Sequence, residues 1–226
     1  MILETSDAHL NPGNRCPEHL IDMADKADMA KSPVVWNGDM LNILPLGMRA
    51  WRSVEGRFTI VDLVAKGMPE KGIYFIMGNH EGRLSWVKEL FGPYPDVIIC
   101  RNLDLTHNGR KWHFDHGHKF TDWWLWRHIA DDWCEWITTN PLMRKWWYDF
   151  CVKQGWIPSK YMHDWTGNPV SKFQQLVGYY WGRVLQEALS KNRNYCVGHS
   201  HIDTRIDTPF GISVVDGGVG KVNIIE

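Results

Sequence analysis

The chain of 226 residues lacks any long apolar run, and this absence excludes several classes of protein. No stretch approaches the roughly 18 consecutive apolar residues that a membrane-spanning helix needs. The N-terminal segment has no basic region followed by an apolar one, so we expect no secretory signal peptide. These features predict a cytoplasmic protein without a transmembrane segment.

An excess of charge of one sign is also missing, because 25 basic and 26 acidic residues leave a formal net charge of -1. The chain therefore has no strong nucleic-acid footprint, since proteins that bind phosphate backbones are usually basic. Cysteine is sparse, and the five cysteines are scattered without CxxC spacing, which favours reduced thiols. The oligomeric state is left open by these observations.

What is present is an alternation of short apolar runs and amphipathic segments. Strands are predicted in MILETSD, SPVVWNGD and GIYFIMGN, and helices in PEHLIDMADKADMA, around residues 47–66, and in EGRLSWVKELF. This β-α-β-α-β order indicates an α/β layered fold. Further strands follow with an Asn108-Gly109 hairpin turn, and the C-terminal segment returns to short strands.

Tryptophan is abundant, and nine of the fourteen tryptophans lie between residues 119 and 165. Helical spacing dominates from Phe120 to about Lys191, as in Val177, Tyr180, Val184 and Ala188. We expect a single domain over residues 1–226 with a Trp-rich helical insertion at about 119–191. Most of these tryptophans should form its core, with Trp123 and Trp124 as candidates for contact with a substrate.

Polar residues that suit metal binding or catalysis follow the predicted strands. They are Asp7, His9, Asp39, Asn79, His80, His116, His199 and His201. Ligands collect beyond the carboxyl ends of strands in open α/β sheets, so these side chains are expected to meet. The set of carboxylates, imidazoles and one amide contains no cysteine, which disfavours a closed structural zinc site and suits Mn, Fe, Zn, Ni or Mg.

The motifs SDAH, NGD, GNHE, HGH and GHSH, in this order from residue 5 to residue 201, resemble the signature of calcineurin-like metallophosphoesterases. The resemblance implies a four-layer α/β/β/α sandwich that holds two divalent metal ions, with Mn favoured. The first ion would be held by Asp7, His9, Asp39 and His201. The second would be held by Asp39, Asn79, His116 and His199.

The same resemblance implies that His80 is catalytic with Asp39. His80 would contact the substrate phosphate beside Asn79 and assist the leaving group, without binding metal. Arg83, four residues beyond Asn79, either reaches the phosphate bidentately or lies on a solvated helix face. The predicted activity is hydrolysis of a phosphate ester, as a phosphodiesterase or phosphatase, by a metal-activated hydroxide.

The residues after Asp39 are MLN, so the acidic residue and the DRG extension of the protein Ser/Thr phosphatase branch are absent, which argues against that branch.

Two alternatives to the predicted activity remain open at this stage. A helical insertion is shared with UDP-diacylglucosamine pyrophosphohydrolases, which act on a lipid nucleotide. Those enzymes usually carry arginine in place of His80 and HGD in place of HGH. A non-catalytic binding scaffold on the same fold is the second alternative.

The remaining histidines have less specific interpretations. His118 is expected in a supporting or surface role beside His116, and His113 is expected to be packed. The sequence gives no motif for His19, His107, His128 or His163. Asp216, in VVDGG, is expected to shape a turn.

Overall fold

The computed structural model describes residues 1–120 and 172–226, with the side chains of the second range described from residue 180 onward. Ten strands lie in these residues. They are β1 (Ile2–Thr5), β2 (Val34–Asn37), β3 (Ile73–Ile76), β4 (Val97–Cys100), β5 (Asn102–His107), β6 (Arg110–Asp115), β7 (Asn194–Val197), β8 (Thr204–Asp207), β9 (Ser213–Asp216) and β10 (Asn223–Ile225).

The helices of the described residues are mostly short. They are α1 (Glu18–Ala30), α2 (Ile43–Leu46), α3 (Met48–Trp51), α4 (Val54–Gly67), α5 (Leu84–Phe91) and α6 (Lys172–Lys191), with a 3₁₀ turn at His118–Phe120. None of these helices is long and apolar enough to cross a membrane.

The strands form two five-stranded sheets. Sheet 1 has the order β10-β1-β2-β3-β4, and β1 to β4 run parallel because a helical crossover follows each of the first three strands. Sheet 2 has the order β5-β6-β7-β9-β8, in which β6, β7 and β9 are parallel. The carboxyl ends of β1, β2, β3, β6 and β7 carry the motifs that the sequence singles out.

Three apolar clusters define four layers. Leu3, Trp36 and Phe75 of sheet 1 pack against Leu20 and Leu63 of the helices α1 and α4. The two sheets face each other through a second cluster, whose members are Ile2, Val35, Ile76, Trp112, Phe114, Cys196, Val215 and Ile225. Residues of α6 cover the other face of sheet 2. The α/β/β/α layering predicted from the sequence is confirmed.

Helix α6 buries the face that its spacing predicts. Tyr180, Val184 and Ala188 lie three to four positions apart, and all three are buried against Tyr195 and other residues of sheet 2. Fully burying a valine side chain contributes about 1.5–3 kcal/mol, so this stripe stabilises the packing of the helix on the sheet. The rest of the predicted insertion lies outside the described residues, as do Trp123 and Trp124.

The single helix predicted around residues 47–66 is wrong. The structure has two helices there, α3 and α4, separated by Arg52 and Ser53. The Ser53 hydroxyl oxygen accepts a hydrogen bond from the Gly56 amide at 3.2 Å, which caps the start of α4. A local cap therefore overrides a helical pattern that continues through it.

The Asn108-Gly109 turn is confirmed. These two residues have φ values of 49° and 73° and join β5 to β6 in a two-residue hairpin. Positive φ at both central positions matches the right-handed twist of the flanking strands, and Asn-Gly adopts it at low cost. The hairpin makes β5 the edge strand of sheet 2 and β6 its neighbour, and His116 directly follows β6.

Candidate metal centre

The structure brings the predicted ligands together from both sheets. The loops after β1, β2 and β3 of sheet 1 carry Asp7, His9, Asp39 and Asn79, and the loops after β6 and β7 of sheet 2 carry His116, His199 and His201. All five loops leave the same end of the sandwich. Residues as far apart as Asp7 and His199 are therefore in contact, with the His199 amide 3.2 Å from Asp7 Oδ2.

The first group of potential ligands is Asp7, His9 and His201. Asp7 Oδ1 lies 3.3 Å from His201 Nε2 and 3.8 Å from His9 Nε2, and the two Nε2 atoms are 3.2 Å apart. Asp7 is fully buried, while the His9 and His201 side chains are 21% and 31% exposed. This group is open to solvent on one side.

The second group is Asp39, His116 and His199. Asp39 Oδ2 lies 3.1 Å from His116 Nε2, and the rings of His116 and His199 are 5.2 Å apart. The His116 Nδ1–H donates to the Asn37 carbonyl oxygen at 2.9 Å, so Nε2 is the nitrogen that faces Asp39. Asp39 and His116 are buried, which makes this the enclosed half of the centre.

A third group, His9, Asp39 and His80, joins the other two. His80 Nε2 lies 3.9 Å from Asp39 Oδ2, and its ring packs edge-on against His9 at 4.5 Å. Because His9 and Asp39 already belong to the other groups, His80 is the member that this third group adds. Its side chain is 33% exposed, at the rim of the centre.

Two buried oxygen atoms make this cluster of carboxylates, imidazoles and one amide suitable for cations. Asp7 Oδ1 and Asn79 Oδ1 have no hydrogen-bond partner among the described residues. Buried polar atoms are normally satisfied, and an unsatisfied one needs an explanation such as an ion. Together with the imidazoles around them, these oxygens form the mixed O/N donor set that divalent cations of the Mn to Zn series accept.

The backbone of the centre is unusual. Five of the residues proposed as ligands have a positive φ, in the left-handed region, and they are Asp7, His9, Asp39, His199 and His201. Each such residue costs of order 1–3 kcal/mol and is usually found at functional sites. Asp and His tolerate this conformation better than most residues. His199 and His201 therefore lie on a turn, where their side chains are not forced to opposite faces as on a strand.

Two motif glycines are required by close approach. A Cβ on Gly38 would lie 2.5 Å from the His116 ring, and one on Gly78 would lie 2.2 Å from Asp39 Oδ1. Neither contact is possible, so the glycines of NGD and GNHE leave room for the ligands themselves.

The electrostatics of the enclosed half are shaped by Asp39. Burial disfavours a charged imidazole, but the Asp39 carboxylate outweighs it and raises the pKa of His116 to about 10. Burial and the neighbouring His116 lower the pKa of His199 to about 3. Burial opposes the charged form of Asp39 as well, yet His116 and His80 hold its pKa well below the usual range. A cation is thus favoured beside Asp39.

The open half shows the same pattern in weaker form. Burial opposes the charged forms of both Asp7 and His201, but their mutual attraction lowers the pKa of the carboxyl and raises the pKa of the imidazole. In each half the pKa of one carboxyl is thus lowered and the pKa of a neighbouring imidazole is raised.

Sequence reasoning assigned no role to Glu81, the last residue of GNHE. Its buried carboxylate accepts hydrogen bonds from the amides of Asp39, Leu41 and Gly78 at 2.7–2.9 Å and so ties the loops after β2 and β3 together. Burial and the charge of Asp39 raise the pKa of Glu81 to about 8. The indication that the sequence offered for such a role was an acidic residue directly after Gly78-Asn79-His80. Asn42, which contacts His9 and His80, was also missed.

The other predicted residues fall around the centre. His113 is buried on β6 with Nδ1 2.6 Å from Asp104 Oδ1, which confirms a packed role. The His118 ring lies 5.8 Å from that of His116, beside the ligands. Asp216 Oδ1 accepts from the Gly218 amide at 3.1 Å, which confirms the turn. Arg83 directly precedes α5, and its contact with phosphate stays a prediction.

Comparisons with solved structures give distant similarities. An archaeal phosphodiesterase is 13% identical, with 96% of this chain and 83% of that chain covered and a TM-score of 0.46. A predicted phosphoesterase from Streptococcus pneumoniae is 15% identical, with coverages of 96% and 71% and a TM-score of 0.40. Vacuolar protein sorting 29 from Cryptosporidium parvum is 12% identical, with coverages of 96% and 73% and a TM-score of 0.45.

A comparison with curated protein sequences gives no match. The family assignment therefore depends on a family model, that of the calcineurin-like phosphoesterases, which matches residues 1–203. That range includes every motif named above and most of the chain. The chain belongs to the calcineurin-like phosphoesterase family, the class of metal-dependent phosphoric ester hydrolases that its motifs predict.

Proposed function

We propose that the protein is a dinuclear metal-dependent phosphoesterase. The observation that carries this proposal is the pair of ligand groups, Asp7-His9-His201 and Asp39-His116-His199, which lie side by side with buried oxygens that have no hydrogen-bond partner among the described residues. One group alone would suit a mononuclear site. Two adjacent groups, with Asp39 close to members of both, support two cations.

The donor set fits both ions. Asp7, His9, Asp39 and His201 would hold one, and Asp39, Asn79, His116 and His199 would hold the other. Two such cations, when bound, lower the pKa of a water molecule and neutralise the phosphate oxygens of the substrate. Mn is our first choice among Mn, Fe, Zn, Ni and Mg, all of which accept oxygen or imidazole donors.

His80 is proposed to contact the substrate phosphate. Burial lowers the pKa of His80 in the free protein, while the carboxylate of Asp39 opposes that shift. An anionic phosphate would act in the same direction as Asp39 and favour a proton on Nε2. That proton can be held against a phosphate oxygen and then transferred to the leaving oxygen. Arg83 is proposed to add a bidentate contact to the same group.

The proposal is tested by metal removal and reconstitution. We expect a chelator to abolish hydrolysis of bis(p-nitrophenyl) phosphate or p-nitrophenyl phosphate, and Mn²⁺ to restore it. The two substrates also separate a diesterase from a monoesterase. Full activity after complete metal removal, verified by elemental analysis, would overturn the proposal. Lack of any bound metal and of any turnover after reconstitution would instead favour a binding scaffold.

His80→Ala separates catalysis from metal binding. We expect this variant to bind as much metal as the wild type and to lose most of its turnover, because proton transfer typically contributes 10²–10⁴-fold. His107→Ala is a matched control, since His107 contacts the N-terminal amine and not the ligand groups. Undiminished turnover in His80→Ala would show that His80 is not catalytic.

A further inference from the structure

Asn42 lies three residues after Asp39, and its backbone is held on both sides. The Asn42 amide donates to the Leu10 carbonyl oxygen at 2.9 Å. Its own carbonyl oxygen accepts from the indole nitrogen of Trp51, a fully buried side chain, at 3.2 Å. The side chain therefore projects from a fixed point between the loops after β1 and β3.

The orientation of the Asn42 amide is determined by its neighbours. Nδ2 donates to the His9 backbone carbonyl at 2.8 Å and to Asn11 Oδ1 at 2.9 Å. Amide nitrogen and oxygen are similar in shape, so their assignment usually depends on the hydrogen bonds. Here the decision is clear, because a backbone carbonyl only accepts and must face the nitrogen.

The oxygen of the same amide then faces two imidazoles. Asn42 Oδ1 lies 2.7 Å from His80 Nδ1 and 3.1 Å from His9 Nδ1. Since an amide oxygen only accepts, both Nδ1 atoms must carry a proton. A carbonyl oxygen has two lone pairs, one for each ring. In each neutral ring the lone pair is then on Nε2.

We propose that Asn42 is a positioning residue that fixes His9 and His80 together in the Nδ1–H tautomer. Both Nε2 atoms then face the centre, that of His9 at 3.8 Å from Asp7 Oδ1 and that of His80 at 3.9 Å from Asp39 Oδ2. The metal-binding part of this proposal rests on the proposed function, because Nε2 of His9 is the atom that would ligate a cation.

One amide thereby links a proposed ligand to the proposed proton donor. Removing it would release both rings at once, although the two histidines are far apart in sequence. Asn42→Asp keeps an accepting oxygen for both rings but replaces the donor that faces the His9 carbonyl. Asn42→Ala removes acceptor and donor alike. The two variants therefore separate the tautomer from the orientation of the loop.

The direct test is the tautomer of the two rings in the metal-free, full-length protein. Long-range ¹H–¹⁵N correlation spectra, recorded at a pH at which both rings are neutral, distinguish Nδ1–H from Nε2–H. We expect Nδ1–H for His9 and His80 in the wild type and in Asn42→Asp, and a mixture in Asn42→Ala. An Nε2–H tautomer on either ring of the wild type would overturn the proposal, whether or not the variants fold.

Metal titration gives a second readout that does not depend on turnover. We expect Asn42→Ala to weaken Mn²⁺ binding by about 10–100-fold, as is typical when the partner of a ligating histidine is lost. Asn14→Ala is the control, an exposed asparagine of the loop after β1 whose oxygen accepts from the Asn11 amide. Equal affinity in Asn42→Ala and the wild type would overturn the proposal. Because the tautomer is read without metal or substrate, an inactive protein would refute the proposed function separately.

Discussion

The two sheets make different contributions to the centre. Sheet 1 carries all three proposed oxygen donors, Asp7, Asp39 and Asn79, and only one of the imidazoles proposed as metal ligands, that of His9. Sheet 2 carries only imidazoles, those of His116, His199 and His201. Sheet 2 holds no complete group among the described residues, since each potential metal group that contains His116, His199 or His201 takes its carboxylate from sheet 1.

This division means that the two groups Asp7-His9-His201 and Asp39-His116-His199 form only when the sheets are packed face to face. The apolar cluster between them, which includes Phe114 and Val35, fixes the distance between the carboxylates and the imidazoles. Pairs such as Asp39 Oδ2 and His116 Nε2, 3.1 Å apart, depend on that packing. The stability of the fold and the geometry of the site are therefore linked through the same interface.

The largest effect is expected from removing the Asp39 carboxylate, which sheet 1 contributes to the centre. Asp39→Asn removes the carboxylate that lies next to His80 and His116. Loss of a partner of a ligand typically costs 10–100-fold, so loss of the shared carboxylate itself should lower kcat/KM by more than about 100-fold. Steady-state kinetics with saturating Mn²⁺ would measure this. Asp25→Asn, an exposed position on α1, is the control and should change little.

Breaking the contact between the sheets should have the next largest effect. Phe114→Ala empties a fully buried position in the cluster between the sheets and should lower the free energy of unfolding by about 3–5 kcal/mol. Chemical denaturation of the metal-free protein measures the loss, and metal affinity should fall with it. Phe210→Ala, at a position that is 77% exposed, should stay within about 0.5 kcal/mol of the wild type. Similar free energies of unfolding and similar metal affinities in Phe114→Ala and Phe210→Ala would contradict the proposed link between sheet packing and site geometry.

One of the three imidazoles of sheet 2 can be removed while the other two are kept. His201 belongs to the open group, with a side chain that is 31% exposed, whereas His116 is fully buried. We expect His201→Ala to lose one of two bound metal equivalents and to keep the one held by the enclosed group, as measured by elemental analysis after gel filtration. Retention of two equivalents would show that His201 is not a ligand.

The smallest expected effect, counted per unit of pH, concerns a carboxyl group that supports the loop carrying His199 and His201. Asp216 ends β9, and its Oδ2 accepts from the Ser200 hydroxyl at 2.7 Å, between His199 and His201. Burial raises the pKa of Asp216 to about 8, so the folded state holds a proton that the unfolded state releases near pH 4. Stability should therefore fall as the pH rises from about 4 to about 8, by at most about 1.4 kcal/mol per pH unit.

Asp216→Asn should remove this part of the pH dependence. Asparagine keeps an oxygen for the Gly218 amide and does not titrate. The measurement is the unfolding free energy of the metal-free variant and wild type at several pH values in that range. An identical slope in both proteins would show that Asp216 is already ionised in the folded state.

Much of this architecture was predictable because its determinants are local. The apolar spacing of Leu20, Met23 and Ala27 predicts the buried face of α1, and Asn108-Gly109 predicts its hairpin. The motifs could be found because metal chemistry requires particular residue types at strand ends. The structure brings these motifs together, and metal binding by them stays a prediction. Glu81 and Asn42 were not predicted, since their roles depend on contacts with loops that come together only in three dimensions. The break at Ser53 was missed because a cap leaves the helical pattern around it unchanged.

The left-handed backbone at Asp7, His9, Asp39, His199 and His201 has a consequence for how such a chain can change over time. Glycine adopts this conformation without strain, so a glycine at any of these positions would relax the backbone and delete a donor of the centre. The substitutions that relieve strain here would thus remove the proposed metal ligands. A variant selected only for stability would be expected to lose these five side chains early and keep the sandwich.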